Sequence, residues 1–202
     1  MRAVTVSRQL GSLGTQVARE VAGRLGYRMV WREVINEAAR RAGAPEAALA
    51  MIDDLGLLGV ELRPAPRQAY EQAVRQVMDD LVAEGDVVIV GRAGQVILQD
   101  RSDVVHVRVI APPALRVKRI ASLQEIPTPA ARARVERSDR TRRVYLKRFY
   151  GVDWDDPQLY DLVLNTERLT VEGAVDLVCE AVVRGVASGD AGTPGKGERG
   201  VG

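Results

Sequence analysis

The chain has 202 residues, 46% of them hydrophobic, which is enough for one well-buried core and too little for two ordinary domains. Its 29 Lys and Arg nearly balance 27 Asp and Glu, and a net charge of +2 argues against a nucleic-acid coat protein or a polybasic membrane binder. The single cysteine, Cys179, excludes an internal disulfide and a thiolate metal cluster. Without a signal-peptide pattern or a membrane-length apolar run, the expected compartment is the reducing cytoplasm.

In chain order, the run Ala3–Val6 reads as a strand, followed by a helical pattern over about 14–25. Tyr27–Val30 is a further strand candidate, and a second helix covers about 32–42. Residues 43–66, with Gly43, Pro45, Gly56, Gly59, Pro64 and Pro66, form an excursion from the core, one short helix and a loop. A helix over about 67–84 leads into the strand Asp86–Val90, and a further strand spans Val104–Ile110. Helices at about 114–123 and 130–149 precede the strand Tyr160–Leu164 and a last helix at 171–185. The strands are continuous apolar runs, as in parallel strands covered on both faces. Such alternation predicts an α/β fold with a mostly parallel, doubly wound sheet. One domain over 1–187 is expected, with the glycine-rich Ser188–Gly202 a flexible tail.

The first strand runs into Ser7-Arg8-Gln9-Leu10-Gly11-Ser12-Leu13-Gly14-Thr15 and then the apolar face Val17, Ala18, Val21, Ala22 and Leu25. A glycine turn between a first strand and a first helix aims backbone N–H groups and the positive helix end at one point, the geometry of a phosphate site. Gly11, Ser12, Gly14 and Thr15 are the candidate cradle. The standard loop, Gly-x-x-x-x-Gly-Lys-Ser/Thr, is not matched. Aligned on Thr15, its first glycine becomes Arg8, its second Leu13 and its lysine Gly14. Thr15 keeps the hydroxyl that would face Mg²⁺.

Four stretches resemble the cytidylate kinase-like family: Thr5–Ser12, Val87–Gly94, Tyr150–Asp155 and Tyr160–Thr166. The last two also look like the closing segments of archaeal-type cytidylate kinases. The resemblance runs from Ala3 to about Val183. It implies a three-layer P-loop fold with a five-stranded parallel sheet, a helical lid over about 114–150, ATP and Mg²⁺ as cofactors, and CMP or dCMP as acceptor. Nucleotides are then the partners, with neither membrane nor nucleic acid expected.

Phosphoryl transfer needs two anions held in line and their repulsion neutralised, so converging arginines are the signal to look for. Arg92 follows a buried-looking strand in Gly91-Arg92 and emerges at the carboxyl edge of the sheet. By resemblance it grips the acceptor phosphate; the bland alternative is a loop arginine paired with Asp100. Arg32, at a helix start, is by resemblance a second acceptor contact or else a solvated first-turn residue. In 132–148, eight basic residues meet only Glu136 and Asp139. Arg137, Arg140, Arg143 and Lys147 recur at helical steps and form one stripe. A lid over the transferring phosphoryl group, a solvated face and a nucleic-acid contact are the readings, in that order. Arg140 and Arg143 are taken as catalytic, and Arg137 and Asp139 as substrate contacts. Arg119 is expected near the donor nucleotide, with Arg116 and Lys118 adjacent options. Arg8, inside the loop, is the expected substitute for the missing lysine. His106 and Cys179 read as packed residues, and Asp153, Trp154 and Asp155 as structural.

An active kinase is one functional reading. A nucleotide sensor that kept the fold and lost the reaction is a second, favoured by Leu13 in a glycine position, and a nucleic-acid-binding module using the Arg132–Arg148 stripe is a third.

Overall fold

The structure, a computed structural model, describes residues 3–31, 33–41 and 64–185. The elements are β1 (Ala3–Arg8), α1 (Gly14–Leu25), β2 (Arg28–Val30), α2 (Glu33–Arg41), α3 (Pro64–Glu84), β3 (Val87–Val90), α4 (Gly94–Ile97), β4 (Val104–Ile110), α5 (Pro113–Gln124), α6 (Thr128–Tyr150), β5 (Leu162–Asn165) and α7 (Val171–Arg184). A 3₁₀ turn, Pro157–Leu159, precedes β5.

The five strands pair in the order β2-β3-β1-β4-β5, all parallel, so the expected sheet is present. Ala3 stands opposite Val87 on one side and Val104 on the other. Side chains alternate across a strand, so each face has its own core. Val4, Val6, Val88, Val90, Val105, Val107 and Val109 meet α1 and α7 through Val17, Val21, Val175 and Val178. On the other face, Ala3, Val87, Ile89 and Val104 meet α2, α3 and α4 through Val34, Val74, Met78 and Ile97. A smaller cluster, Val117, Ile120, Ala131 and Val135, joins α5 to α6.

Several boundaries shift by one to three residues, β1 running on to Arg8 and β5 to Asn165, and one element is new. The third helix begins at Pro64, because Pro64 and Pro66 fall in its first turn, where no intrahelical N–H is required. Tyr160 lies outside β5; its hydroxyl donates to Trp154 O at 2.9 Å and so ties it to the preceding turn. The helix α4 was not anticipated. The rest of the 43–66 excursion and the 188–202 tail lie outside the described residues.

The second face carries four buried polar side chains near the strand axis: Thr5 and Ser7 on β1, His106 and Arg108 on β4. His106 Nδ1 is 2.7 Å from Thr5 Oγ1, and its backbone N–H donates to Asp161 Oδ2 at 2.7 Å. Burial pushes the imidazole pKa below its ordinary value, against the opposing pull of the Asp161 charge. The folded protein thus binds a proton at His106 less readily than the unfolded chain. Stability contributed here is present above about pH 6.5 and is lost as pH falls below it. His106→Val should therefore narrow the difference in unfolding midpoint between pH 8 and pH 5, measured by thermal melts at both.

A second buried polar contact joins α5 to α6. Arg116 donates to Asp139 Oδ1 at 3.2 Å and Oδ2 at 2.7 Å, and also to Ala111 O and Leu10 O. Both side chains are nearly inaccessible. Removing one partner strands a buried charge, so Asp139→Ala should cost about 3–5 kcal/mol in urea unfolding. The double change Arg116→Met with Asp139→Leu should recover part of that loss.

Candidate phosphate site at the carboxyl edge of the sheet

Beyond Arg8 the chain turns tightly before α1. Gln9 N donates to Val109 O at 3.1 Å, so the turn starts from the sheet itself. Ser12 is fully buried; its hydroxyl donates to Gln9 O at 2.9 Å and accepts from Gly14 N. Gly11 has φ +81 because α5 crosses it: a Cβ there would stand 2.8 Å from Arg116 O. Leu13 caps α1 in the left-handed region at φ 62, without a side-chain cap, and the first turn holds no acid. The positive helix end is therefore not neutralised by its own first turn or cap. Thr15, half-buried, stands in that first turn.

The loop is braced from the β4–β5 side. Arg119 donates to Gly11 O at 3.3 Å, Thr166 Oγ1 at 3.0 Å and Thr166 O at 2.8 Å. Thr166 Oγ1 donates to Ser12 O at 2.8 Å. Arg119, expected near the donor, thus holds the loop in place, while Arg116 and Asp139 hold α6 against the same loop.

On the other side of β1, β3 ends in three consecutive left-handed residues, Gly91 at φ 80, Arg92 at φ 60 and Ala93 at φ 56. Two of them are not glycine, a conformation costing on the order of 1–3 kcal/mol each, which marks a functional edge. Gly91 N donates to Val6 O at 3.0 Å, so this strained turn is fixed to β1. Arg92 is half-buried there.

Arg8 lies between the loop and this turn, 9% exposed. Its guanidinium carbon is 4.9 Å from the centroid of Trp31, the residue following β2. Burial, then the charges of Arg142 and Arg92, push its pKa down to about 9. Both neighbouring charges are cations, so Arg8 feels two like charges. Arg142 comes from α6, where it also donates to Ser138 O at 3.2 Å and lies 5.9 Å from the Trp154 ring.

The segment after α6 is fastened to the same edge. Trp154 is 1% exposed, and its Nε1 donates to Ser7 Oγ at 2.9 Å. Arg108 stacks on its ring at 4.3 Å and donates to Trp154 O, Tyr160 Oη and Asp155. Arg143 Nε donates to Asp155 Oδ2 at 2.6 Å. Burial alone would raise the Asp155 carboxyl; the Arg143 hydrogen bond and the Arg108 charge outweigh it and hold the pKa below the usual range.

Of the residues singled out from sequence, Arg8, Gly11, Ser12, Gly14, Thr15 and Arg92 gather at this edge, and Arg119 braces it. Arg143 is engaged by Asp155, and Asp139 by Arg116. Arg137 and Arg140 are on the exposed side of α6, and Arg32 lies outside the described residues. Sequence reasoning missed Arg142, which does not belong to the stripe. The signal that finds it is the apolar period of its own helix: Val135, Asp139, Arg142 and Leu146 share the inward side.

The description "Cytidylate kinase-like family" matches residues 3–168. The chain belongs to the cytidylate kinase-like family. It is 27% identical over 187 residues to a cytidylate kinase of Staphylothermus marinus, spanning 90% of this chain and 97% of that one. A cytidylate kinase of Thermococcus kodakarensis is 30% identical over 190 residues, 94% and 92% of the two chains. Among solved structures, an uncharacterized protein from Eubacterium ventriosum superposes with TM-score 0.72 at 18% identity, covering 91% and 99%. A shikimate kinase from Acinetobacter baumannii superposes with TM-score 0.51 at 15% identity, covering 91% and 94%. These likenesses establish the P-loop kinase fold. Among the described residues no helix is long and apolar enough to cross a membrane.

Within this cytidylate kinase-like fold, the buried Arg8 charge is destabilising to the empty protein, since desolvation and two like charges oppose it. Arg8→Met keeps much of the bulk and removes the charge. It should raise the thermal midpoint by at least roughly 2–4 °C, the shift about 1 kcal/mol produces in a chain this size, read by calorimetry at pH 7.

Proposed function

We propose that the protein transfers the γ-phosphoryl group of ATP to a nucleoside monophosphate, with CMP and dCMP the first acceptors to test. The observation that carries this is the meeting, at the carboxyl edge of one parallel sheet, of a helix-capped glycine loop with an arginine cluster. One half suits a polyphosphate and the other a phosphate dianion.

In the reaction a phosphate oxygen of the acceptor attacks the γ-phosphorus as the bond to the β–γ bridging oxygen breaks, yielding ADP and a nucleoside diphosphate. The acceptor dianion has no proton to lose, so positioning and charge neutralisation are the protein's task. Main-chain N–H groups at the loop's end, those of Leu13 and Thr15 among them, receive the donor phosphates, and Arg119 with Thr166 keeps that loop rigid. Arg92, with Arg32, holds the acceptor phosphate. Residues 114–150 are the lid region; α5 anchors it to the loop through Arg116 and Arg119, and Arg137, Arg140 and Arg143 of α6 move toward the transferring group as it closes. Among the described residues no group of three His, Cys, Asp or Glu could hold a metal. Mg²⁺ fits in the way it commonly binds phosphates, through substrate oxygens, water and one hydroxyl, that of Thr15. When bound it supplies charge neutralisation between the phosphates.

Leu13 at a positive φ in the loop supports the second reading, a sensor that binds nucleotide without turnover. Coupled ADP release with Mg²⁺-ATP against a panel of nucleoside monophosphates separates the two. Acceptor-dependent ADP release is expected, and Arg92→Ala should lower kcat/KM for the acceptor by about 10²-fold or more. Ligand-induced stabilisation without ADP release would support the sensor instead.

A further inference from the structure

The loop lacks its lysine, and Arg8 is the obvious replacement; the geometry sends Arg8 elsewhere. In the standard loop the lysine projects from the helix start over the donor phosphates. Here that position is Gly14, where a Cβ would stand 2.5 Å from Arg8 Cβ and 2.9 Å from Val109 Cβ. A side chain at 14 is therefore excluded from two sides, by Arg8 and by Val109.

The Arg8 side chain then runs away from the donor side. A Cβ on Gly91 would meet Arg8 Nη1 at 2.6 Å, so the guanidinium passes directly against the β3 turn. It ends over the Trp31 ring beyond β2. In the sheet order β2 and β3 lie on one side of β1, β4 and β5 on the other. The groups that brace the glycine loop, Arg116, Arg119 and Thr166, all come from the second side. Arg8 crosses to the first, where Gly91 leads into Arg92.

We infer that Arg8, passing Gly91 and backed by Trp31, binds the acceptor's phosphate beside Arg92 and does not replace the loop lysine at the donor. This rests on the kinase reading and specifies its acceptor site. The donor is then held by loop N–H groups and Mg²⁺ alone. A buried cation near two others is suited to a dianion, which would offset the burial, and after it the like charges, that depress the Arg8 pKa. Gly91 suits its position twice over: its φ of +80 strains any side chain, and a Cβ there would push the guanidinium aside.

The test uses the full chain, Arg8→Met and Arg8→Lys, with folding checked by thermal melts. Calorimetric titrations use three probes: CMP, inorganic phosphate and Mg²⁺-ATP. Arg8→Met should weaken CMP and phosphate by roughly tenfold or more and leave ATP within about twofold. Arg8→Lys should recover part of the phosphate affinity and none of the bidentate geometry. Loss of ATP with CMP unchanged would overturn the inference and restore Arg8 as the lysine's replacement. So would a wild-type chain that binds neither CMP nor phosphate. Arg8-dependent phosphate binding without turnover of any monophosphate would sustain this inference while sinking the kinase reading. CMP turnover with an unchanged acceptor KM in Arg8→Met would do the reverse.

Discussion

Forcing like charges together at the edge of an apolar sheet is the constraint that shapes the rest of this molecule. Arg8 is buried, and among the described residues the charges that further lower its pKa are those of Arg142 and Arg92. Coulomb repulsion at such separations is weak in water and severe in a low-dielectric interior. An unaided chain would relieve it by swinging one arginine into solvent. This one opposes that escape with backbone fixed to the sheet: Gly91 bonds to Val6, and Arg8 is itself the last residue of β1. The left-handed run Gly91–Ala93 adds strain in the same place.

The third arginine comes from α6, and two clasps keep that helix in position. Near its middle, Arg116 and Asp139 form a buried pair reaching the glycine loop through Leu10 O. Near its end, Asp155 takes Arg108 from β4 and Arg143 from α6. The two clasps differ in exposure. Asp139 is buried, whereas the Asp155 side chain is 41% exposed, so water can compete for its partners. Exposed pairs are worth little and buried ones are costly to break. The helix is therefore held firmly at Asp139 and loosely at Asp155, an asymmetry suited to a lever hinged at one point.

Much of this was legible in the sequence. Apolar runs gave β1, β3, β4 and β5, while β2, only Arg-Met-Val, was a weaker candidate, and the turn Gly11–Gly14 gave the loop, because each depends on local pattern alone. Arg92 was legible too, since an arginine directly after a buried strand must emerge at the edge. Asp139 was not: its partner Arg116 is 23 residues away, and no local rule pairs them. Arg143 reads as part of a basic stripe until Asp155, beyond the helix, claims it. Arg142 was hidden among brighter charges, although the inward period of α6 pointed to it. Trp31 joined the site through Arg8, a contact that exists only because β2 and β1 flank the same strand.

The strand order explains why opposite functions can share so small an edge. From β1 the chain reaches β3 in one direction and β4 in the other, so the connections part above it and leave a crevice. Whatever projects from the end of β1 has two directions to choose between. A lysine on α1 would take the one above the loop, as the standard pattern does. Arg8 and Val109 close that route, because their Cβ atoms occupy the volume a side chain at 14 would need. The remaining route leads under Gly91, where a missing Cβ leaves the passage open. A pair of glycines, 14 and 91, thus directs one arginine across the crevice, and the charge lost from one side of the sheet edge reappears on the other.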